Sequence, residues 1–359
     1  MIKYLGSKRR LVPVLSELAR RSGADTALDL FTGTTRVAQA FKQVRAMVTA
    51  VDTARYSEVF AETWIALDAD TLAAGDVAEL TDALAELDAL PGQPGYVTET
   101  FCERARFFQP HNGARIDAIR AAIARDHAGT WREPVLLTAL LLAADRVDST
   151  TGVQMAYVKQ WAPRSFRPLE LKLPALLPGR GRAVRADATV AATTLGHFDL
   201  AYLDPPYNQH RYFTNYHVWE TLIAGDQPEH YGVACKRVDA RDDTTKSVFN
   251  RKREMPAALA ATIAAVDADV VVVSYNDESW VSLGQLIDMC QAHPAGERVV
   301  ALAFDSKRYV GAQIGIHNPA GERVGEVGRL RNQEFVIVAG PAGTVAHMTE
   351  PFRAHAGAG

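Results

Sequence analysis

An apolar run that ends on two prolines limits the folds open to this chain. Phe198-Asp199-Leu200-Ala201-Tyr202-Leu203 has the length and character of a short buried strand, and Asp204-Pro205-Pro206-Tyr207 follows it without a break. Pro206 has no N–H to give a sheet ladder and cannot extend a central strand. The strand therefore ends at the prolines, where it presents a carboxylate, peptide carbonyls and an aromatic ring at its carboxyl end. Open α/β sheets bind their ligands along that edge. Asp204, Pro205, Pro206 and Tyr207 are accordingly the candidate catalytic residues.

Those residue types suit the activation of an exocyclic amino group. Such a nitrogen is a poor nucleophile because its lone pair is delocalised into the ring. A carboxylate that accepts one amino hydrogen and a carbonyl that accepts the other localise the pair, and Asp204 and Pro205 supply the two acceptors in adjacent positions. The Tyr207 ring would stack on the base and hold its nitrogen in line with an activated methyl. This is catalysis by positioning and preorganised electrostatics. A base in a duplex must first leave its stack, at a cost of a few kcal/mol. The plainer reading is a rigid turn, since Asp-Pro and Pro-Pro are common turn markers; the rest of the chain decides between the two.

Further strands and turns surround this one. Lys3-Tyr4-Leu5-Gly6-Ser7-Lys8 precedes an amphipathic stretch through Leu11, Val14, Leu15 and Leu18, with Lys8 opening the helix. Thr26 to Phe31 reads as a strand, Thr32-Gly33-Thr34-Thr35 as a tight turn, and Val37 to Lys42 as a helix. A strand, a glycine turn and a helix form the loop that nucleotide-binding folds place under a cofactor. A second strand from Ala46 to Val51 ends at Asp52, about twenty residues after the loop, where an acid is well placed for ribose hydroxyls. A third, Ala183 to Ala186, ends in Asp187-Ala188, and Asp187 is placed to accept from the amino group of a cofactor adenine. Asp269 to Ser274 is a valine run without alternation, as in a strand buried on both faces, and Val299 to Phe304 and Phe335 to Val338 close one edge. The expected class is α/β with a Rossmann-like sheet.

Between Asp52 and Ala183 the periodicity becomes helical, through Val59 to Leu67, Val77 to Leu87, Val97 to Phe108, Ile116 to Ile123 and Val135 to Val147. Pro91-Gly92-Gln93-Pro94-Gly95 interrupts this insert. The formal net charge of −3 does not by itself announce a nucleic-acid binder. The charge is segregated, however: acids dominate from Asp52 to Asp88, whereas Lys159 to Arg185 is mostly basic, as one phosphate-facing surface would require. The segment Lys236 to Arg253 mixes both signs without apolar period and is expected to be a mobile loop.

Cys102, Cys235 and Cys290 lie far apart with no Cys-x-x-Cys spacing, which argues for a reduced cytosolic protein and against zinc. No cysteine follows a proline, so the nucleophile motif of carbon-methylating cytosine enzymes is missing. The start lacks the apolar core and cleavage site of a secretory signal. The run Val135 to Ala144 is too short to span a bilayer and reads as a core helix. Ala354 to Gly359 is expected to fray.

In sum of order and spacing, Lys3 to Lys8, Asp29 to Gly33, Asp52, Asp187, Asp204 to Tyr207 and Ser274-Tyr275-Asn276 resemble the Dam-like family of adenine-specific DNA methyltransferases, restriction–modification members above all. Asn215-Tyr216-His217 with Trp219-Glu220 resembles that family's helix after the catalytic turn. The resemblance implies S-adenosylmethionine as methyl donor. It implies a cofactor pocket lined by Tyr4, Lys8, Asp29, Phe31, Thr32, Gly33, Asp52, Asp187, Ala188 and Asp204. It also implies a methyltransferase domain over 1–89 and 183–350, with a target-recognition insert over 90–182 and a tail over 351–359. Double-stranded DNA is the implied partner, with contacts from Arg106, Lys159, Arg164, Arg167, Arg211, Tyr212 and Asn215, and a cognate restriction endonuclease as a second protein acting on the same site. Neither a metal nor a membrane is expected, and the compartment is the cytoplasm. One residue departs from the family pattern: Thr35 stands where a second loop glycine is usual, leaving its hydroxyl to meet the cofactor carboxylate. Other substrates for the same geometry are the cytosine amino group in DNA, RNA and a protein glutamine amide. A non-catalytic DNA-binding protein of the same fold is the remaining alternative.

Overall fold

A computed structural model describes residues 2–4, 6, 8–44, 46–158, 160–206, 209, 211–307 and 331–356. Seven strands form one sheet: β1 (Thr26–Asp29), β2 (Met47–Asp52), β3 (Gly181–Arg185), β4 (Phe198–Leu203), β7 (Ala268–Asn276), β8 (Arg298–Lys307) and β9 (Arg331–Gly340), in the order β3-β2-β1-β4-β7-β9-β8. A separate two-stranded ribbon pairs β5 (His230–Tyr231) with β6 (Lys236–Arg237). The pairs β2–β3, β1–β4 and β4–β7 are parallel, and β9 runs antiparallel to both β7 and β8. All seven apolar runs of the sequence are strands. The last two extend furthest beyond them, because the β8–β9 ladder continues past the buried residues to Lys307 opposite Arg331.

The chain divides into two compact units, the first made of 1–12, 32–187 and 211–247 and the second of 13–31, 188–210 and 248–359. In the first unit, helices Ala74–Ala89, Pro110–Asp126 and Arg132–Val147 surround a core that includes Phe60, Phe101, Phe107, Ile119, Leu136, Leu140 and Trp219. Most of Arg132–Val147 is buried, as a helix with apolar residues on nearly all sides requires. Gly113 permits the close approach of Pro110–Asp126 to its neighbour, since a Cβ there would stand 2.2 Å from the Cys102 sulfur.

The helix Arg55–Ala61 widens into a π-helical turn over Glu62–Ala66. Buried Lys42 closes that turn by donating from Nζ to the carbonyls of Trp64 (3.1 Å), Ile65 (2.9 Å) and Leu67 (2.7 Å). One ammonium thus satisfies three carbonyls at a helix end that has no partners of its own, while burial pushes its pKa down to about 8. The sequence placed a helix over Val97 to Phe108; the observed element is a π-helical stretch over Thr98–Arg104 that ends at Ala105.

Two expectations are corrected. The mixed-charge segment from Lys236 is folded, with β6 followed by 3₁₀ turns at Val238–Arg241, Asp243–Thr245 and Val248–Asn250. Its anchor is buried Arg237, forked between Asp226 and Asp239 at 2.6 Å each, while Arg241 to Asp243 and Arg251 to Arg253 remain exposed. Near the end, Glu350–His355 forms a 3₁₀ turn and Ala356 bridges Leu302, so order persists beyond Ala354.

In the second unit, β4 and the valine run of β7 form the buried centre, with β1 on one side and β9 on the other. No helix among the described residues is long and apolar enough to cross a membrane.

Candidate active site

In the second unit the parallel strands β1, β4 and β7 bring their carboxyl ends to one edge. Asp29 pairs with Tyr202, and Leu203 with Val273. The edge therefore collects Asp29, Asp204 and the Ser274-Tyr275-Asn276 segment. Two bonds fix β4 just before its turn: Leu30 donates its N–H to the Tyr202 carbonyl (3.0 Å), and the Tyr202 hydroxyl donates to Ser274 Oγ (2.8 Å) inside the core. Pro205 is buried, while Asp204 and Pro206 are partly exposed. A carboxylate on a proline-stiffened turn is thus held at the edge where α/β sheets bind ligands. Tyr207 lies outside the described residues. Phe31, just past β1, meets Phe249 edge-on with ring centroids 5.0 Å apart.

The first unit holds the glycine loop. Thr32 donates its N–H to the Val51 carbonyl at 2.9 Å, and Thr35 donates its N–H back to Thr32 at 2.7 Å, closing a turn. Gly33 adopts φ +51°, and a Cβ there would lie 3.1 Å from the Tyr4 ring. Asp52 at the end of β2 accepts one N–H at each oxygen, from Gly33 (2.9 Å) and Ala54 (3.0 Å). Burial raises its pKa and those two N–H groups oppose the rise. The Ala186 N–H donates to the Asp52 carbonyl at 3.0 Å, which places Asp187 immediately beyond the end of β2. Ala188 begins the helix Ala188–Thr194 in the second unit. Lys8 is buried within a 3₁₀ turn, Lys8–Arg10, not at the start of the following helix.

Thr35 is in the left-handed region at φ +59° and fully buried. That conformation costs an L-residue about 1–2 kcal/mol, which explains why glycine suits the position. The Thr35 hydroxyl donates to the Thr34 carbonyl and accepts from Gln39 Nε2, both at 2.8 Å. The expectation of a hydroxyl facing a cofactor carboxylate is therefore corrected: the group ties the loop to its own helix, Arg36–Gln43.

An aromatic column stands beside the loop. Tyr4 stacks on Tyr212 (5.4 Å) and Tyr216 (4.7 Å), and Tyr216 on Trp219 (4.6 Å). At its base, buried Glu220 accepts the Arg55 N–H at 2.9 Å, and burial pushes its pKa up to about 7. Fully buried His217 donates from Nε2 to the Gln154 carbonyl (2.9 Å), and desolvation pushes its pKa down to about 3. It is a neutral packing residue, not a general base.

With this geometry in view, comparison with known proteins is decisive. The D12 class N6 adenine-specific DNA methyltransferase family matches residues 4–289. The chain belongs to that family. The D12-class chain is 30% identical over 306 residues to Type II methyltransferase M.NlaIII of Neisseria lactamica, covering 79% of this chain and 86% of that protein. It is 30% identical over 311 residues to Type II methyltransferase M.CviAII of Paramecium bursaria Chlorella virus 1, covering 83% and 90%. Modification methylase StsI of Streptococcus sanguinis is 27% identical over 301 residues, 78% of this chain but 45% of that protein. This D12 methyltransferase is thus a site-specific enzyme that acts on adenine in DNA and needs a methyl donor; the cytosine, RNA and glutamine alternatives are not favoured.

The residues expected at DNA are differently exposed in the D12 chain. Arg106 lies over the Trp161 ring, 4.6 Å from its centroid. Arg164 is committed to Asp148 through Nε (2.9 Å) and Nη2 (2.6 Å), whereas Arg167 and Arg211 are exposed. Tyr212 belongs to the aromatic column, and Asn215 is buried, its carbonyl accepting the Gln154 N–H at 2.7 Å. Lys159 lies outside the described residues. Sequence reasoning missed the roles of Gln154, Glu220 and the Lys3–Asp148 ion pair (2.8 Å). The pair joins residues too distant in the chain for any local pattern to reveal.

Proposed function

We propose that the chain transfers the methyl of S-adenosylmethionine to N6 of an adenine flipped out of duplex DNA. The observation that carries this reading is Asp204 on its proline turn at the carboxyl edge of three parallel strands. Asp204 accepts one hydrogen of the amino group and the Pro205 carbonyl the other, which localises the nitrogen lone pair toward the methyl. Tyr207 stacks on the base, and the nitrogen gives its proton to water. His217, buried and neutral, has no part in that step.

The donor set of the first unit fits the cofactor. Asp52 accepts the Gly33 and Ala54 N–H groups, and its carboxylate is the acceptor for a ribose hydroxyl. Gly33 leaves open the space that a Cβ would fill beside Tyr4. Asp187 suits the adenine edge, with Lys8 and Thr32 lining the remainder. When bound, S-adenosylmethionine supplies an electrophilic methyl on a sulfonium, whose C–S bond breaks as the N–C bond forms. The insert over 90–182 is the target-recognition region, and Arg106, Arg167 and Arg211 meet phosphates or guanine edges. The same site is cut by a cognate endonuclease, and the enzyme works in the cytoplasm.

Digestion of methylated duplex DNA to nucleosides, with the product identified by mass, tests the reading. N6-methyladenine, formed only with S-adenosylmethionine present, is expected. Methyl groups on cytosine alone would contradict it.

A further inference from the structure

We propose that the cleft between the turn Lys8–Arg10 and the helix Arg36–Gln43 takes a phosphate group, supplied by the backbone of duplex DNA. The DNA source rests on the reading above; the anion site stands on the cleft alone. Every described residue that lines it belongs to the first unit, and none comes from the insert over 90–182.

The cleft has a volume of about 190 Å³ and is lined by Arg9, Val12, Arg36, Gln39, Ala40 and Gln43. The last four stand at i, i+3, i+4 and i+7 of one helix and so share a face. Two guanidinium groups therefore border one space, and no carboxylate lines it among the described residues. Arg36 is half-buried, and its Nε is shielded from water without an acceptor. Burial and the charge of Arg9 both push the Arg36 pKa below the ordinary guanidinium value. A cation so placed is unfavourable by itself, because it gives up hydration at Nε and meets a like charge. An anion between the two guanidinium groups offsets both penalties.

Guanidinium forks match the oxygens of a phosphate in a way that ammonium groups do not. Arg9 is exposed, so the cleft opens at the surface, where a polymer can reach it. Hydrogen bonds to phosphate are the commonest that proteins give DNA, and they fix the register of a protein on its duplex. The cleft is also joined to the glycine loop. Gln39 on its wall donates from Nε2 to the Thr35 hydroxyl (2.8 Å), and Arg36 directly follows Thr35. A phosphate held here engages the helix that the loop opens, and so sets the duplex in register with that loop.

The test uses the full-length enzyme with two duplexes of equal length, one bearing its own site, mapped by sequencing DNA from cells that express it, and one without. Binding is followed by fluorescence anisotropy across a salt series. Arg36→Met should make the slope of log affinity against log salt shallower by about 0.9 on both duplexes, and weaken binding about eightfold at low salt. Arg36→Lys keeps the charge and should keep the parental slope. The urea midpoint of Arg36→Met should equal or exceed the parent's, and its S-adenosylmethionine affinity should be unchanged. Inorganic phosphate at constant ionic strength should compete with duplex for the parent more than for Arg36→Met. An unchanged slope would overturn the DNA source, and if phosphate still competes through Arg36 the cleft belongs to free phosphate. A lower urea midpoint would make Arg36 a structural residue, and a loss of cofactor affinity would assign it to the cofactor carboxylate; either overturns the site. A parent that binds duplex with the expected slope but transfers no methyl to adenine N6 would overturn the proposed function and leave the cleft standing.

Discussion

The Asp52 carboxylate accepts the Gly33 N–H at 2.9 Å, so the acid at the end of β2 holds the glycine loop in shape. One residue thus fixes the loop and, in the proposed function, also accepts from a ribose hydroxyl. Asp52→Asn removes the charge and one acceptor oxygen. A hydrogen bond to a charged group contributes about 1.5–3 kcal/mol, so S-adenosylmethionine affinity should fall by roughly 10- to 100-fold. Isothermal titration measures this, and an unchanged Kd would remove Asp52 from the cofactor site.

Thr35 supplies a contrast between two substitutions. Thr35→Ala loses the bonds to Thr34 and Gln39 but keeps a Cβ at φ +59°. Thr35→Gly loses the same bonds and relieves the strain, which is about 1 kcal/mol or more. The Ala variant should therefore be the less stable of the two in urea unfolding. The reverse order would mean that the left-handed conformation costs little here.

Glu220 gives a pH signature. Burial raises its pKa from 4.5 to about 7. As pH rises, the unfolded chain releases this proton near 4.5 and the folded chain only near 7, so stability falls across that window and levels off above it. Glu220→Gln retains an oxygen for the Arg55 N–H and carries no titrating group. It should abolish that decline and be more stable than the parent at pH 8, by about 3 kcal/mol at most. Denaturation curves at pH 5, 6, 7 and 8 decide the matter; parallel slopes for both proteins would contradict it.

Arg164 and Arg167, three residues apart, should behave differently toward DNA. Arg167 is exposed, and its removal should lower the slope of log affinity against log salt by about 0.9, one phosphate contact. Arg164 is paired with Asp148, so Arg164→Ala should act mainly by loosening the Thr150 loop and leave that slope nearly unchanged. Equal slope changes would place both arginines on phosphates.

The sheet was legible because its strands are short apolar runs bounded by turns, and Phe198–Leu203 ends at the prolines as their chemistry requires. The family resemblance rested on the order of Lys3–Lys8, Gly33, Asp52 and Asp204, and the D12 match bears it out. Charge was less legible, because sequence shows its sign without its partner. Lys236 to Arg253 read as a mobile loop because the sequence does not show that Arg237 pairs with Asp226 and Asp239. Arg164 likewise showed its sign without its partner, because Asp148 is invisible from its local pattern. Thr35 illustrates a further limit: the missing glycine was evident, but the direction of its hydroxyl depends on a backbone angle that residue identity does not fix.

The central claim is that Asp204 activates an adenine amino group, and single-turnover methyl transfer by Asp204→Ala tests it most directly. Purified enzyme in excess is mixed with duplex DNA and labelled S-adenosylmethionine, and cofactor affinity is measured on the same preparation. The account expects transfer to N6 to fall by more than about a hundredfold, the scale set by loss of one preorganised polar group, with cofactor affinity within a few-fold of the parent. Transfer within threefold of the parent, with the variant folded and binding cofactor, would contradict it.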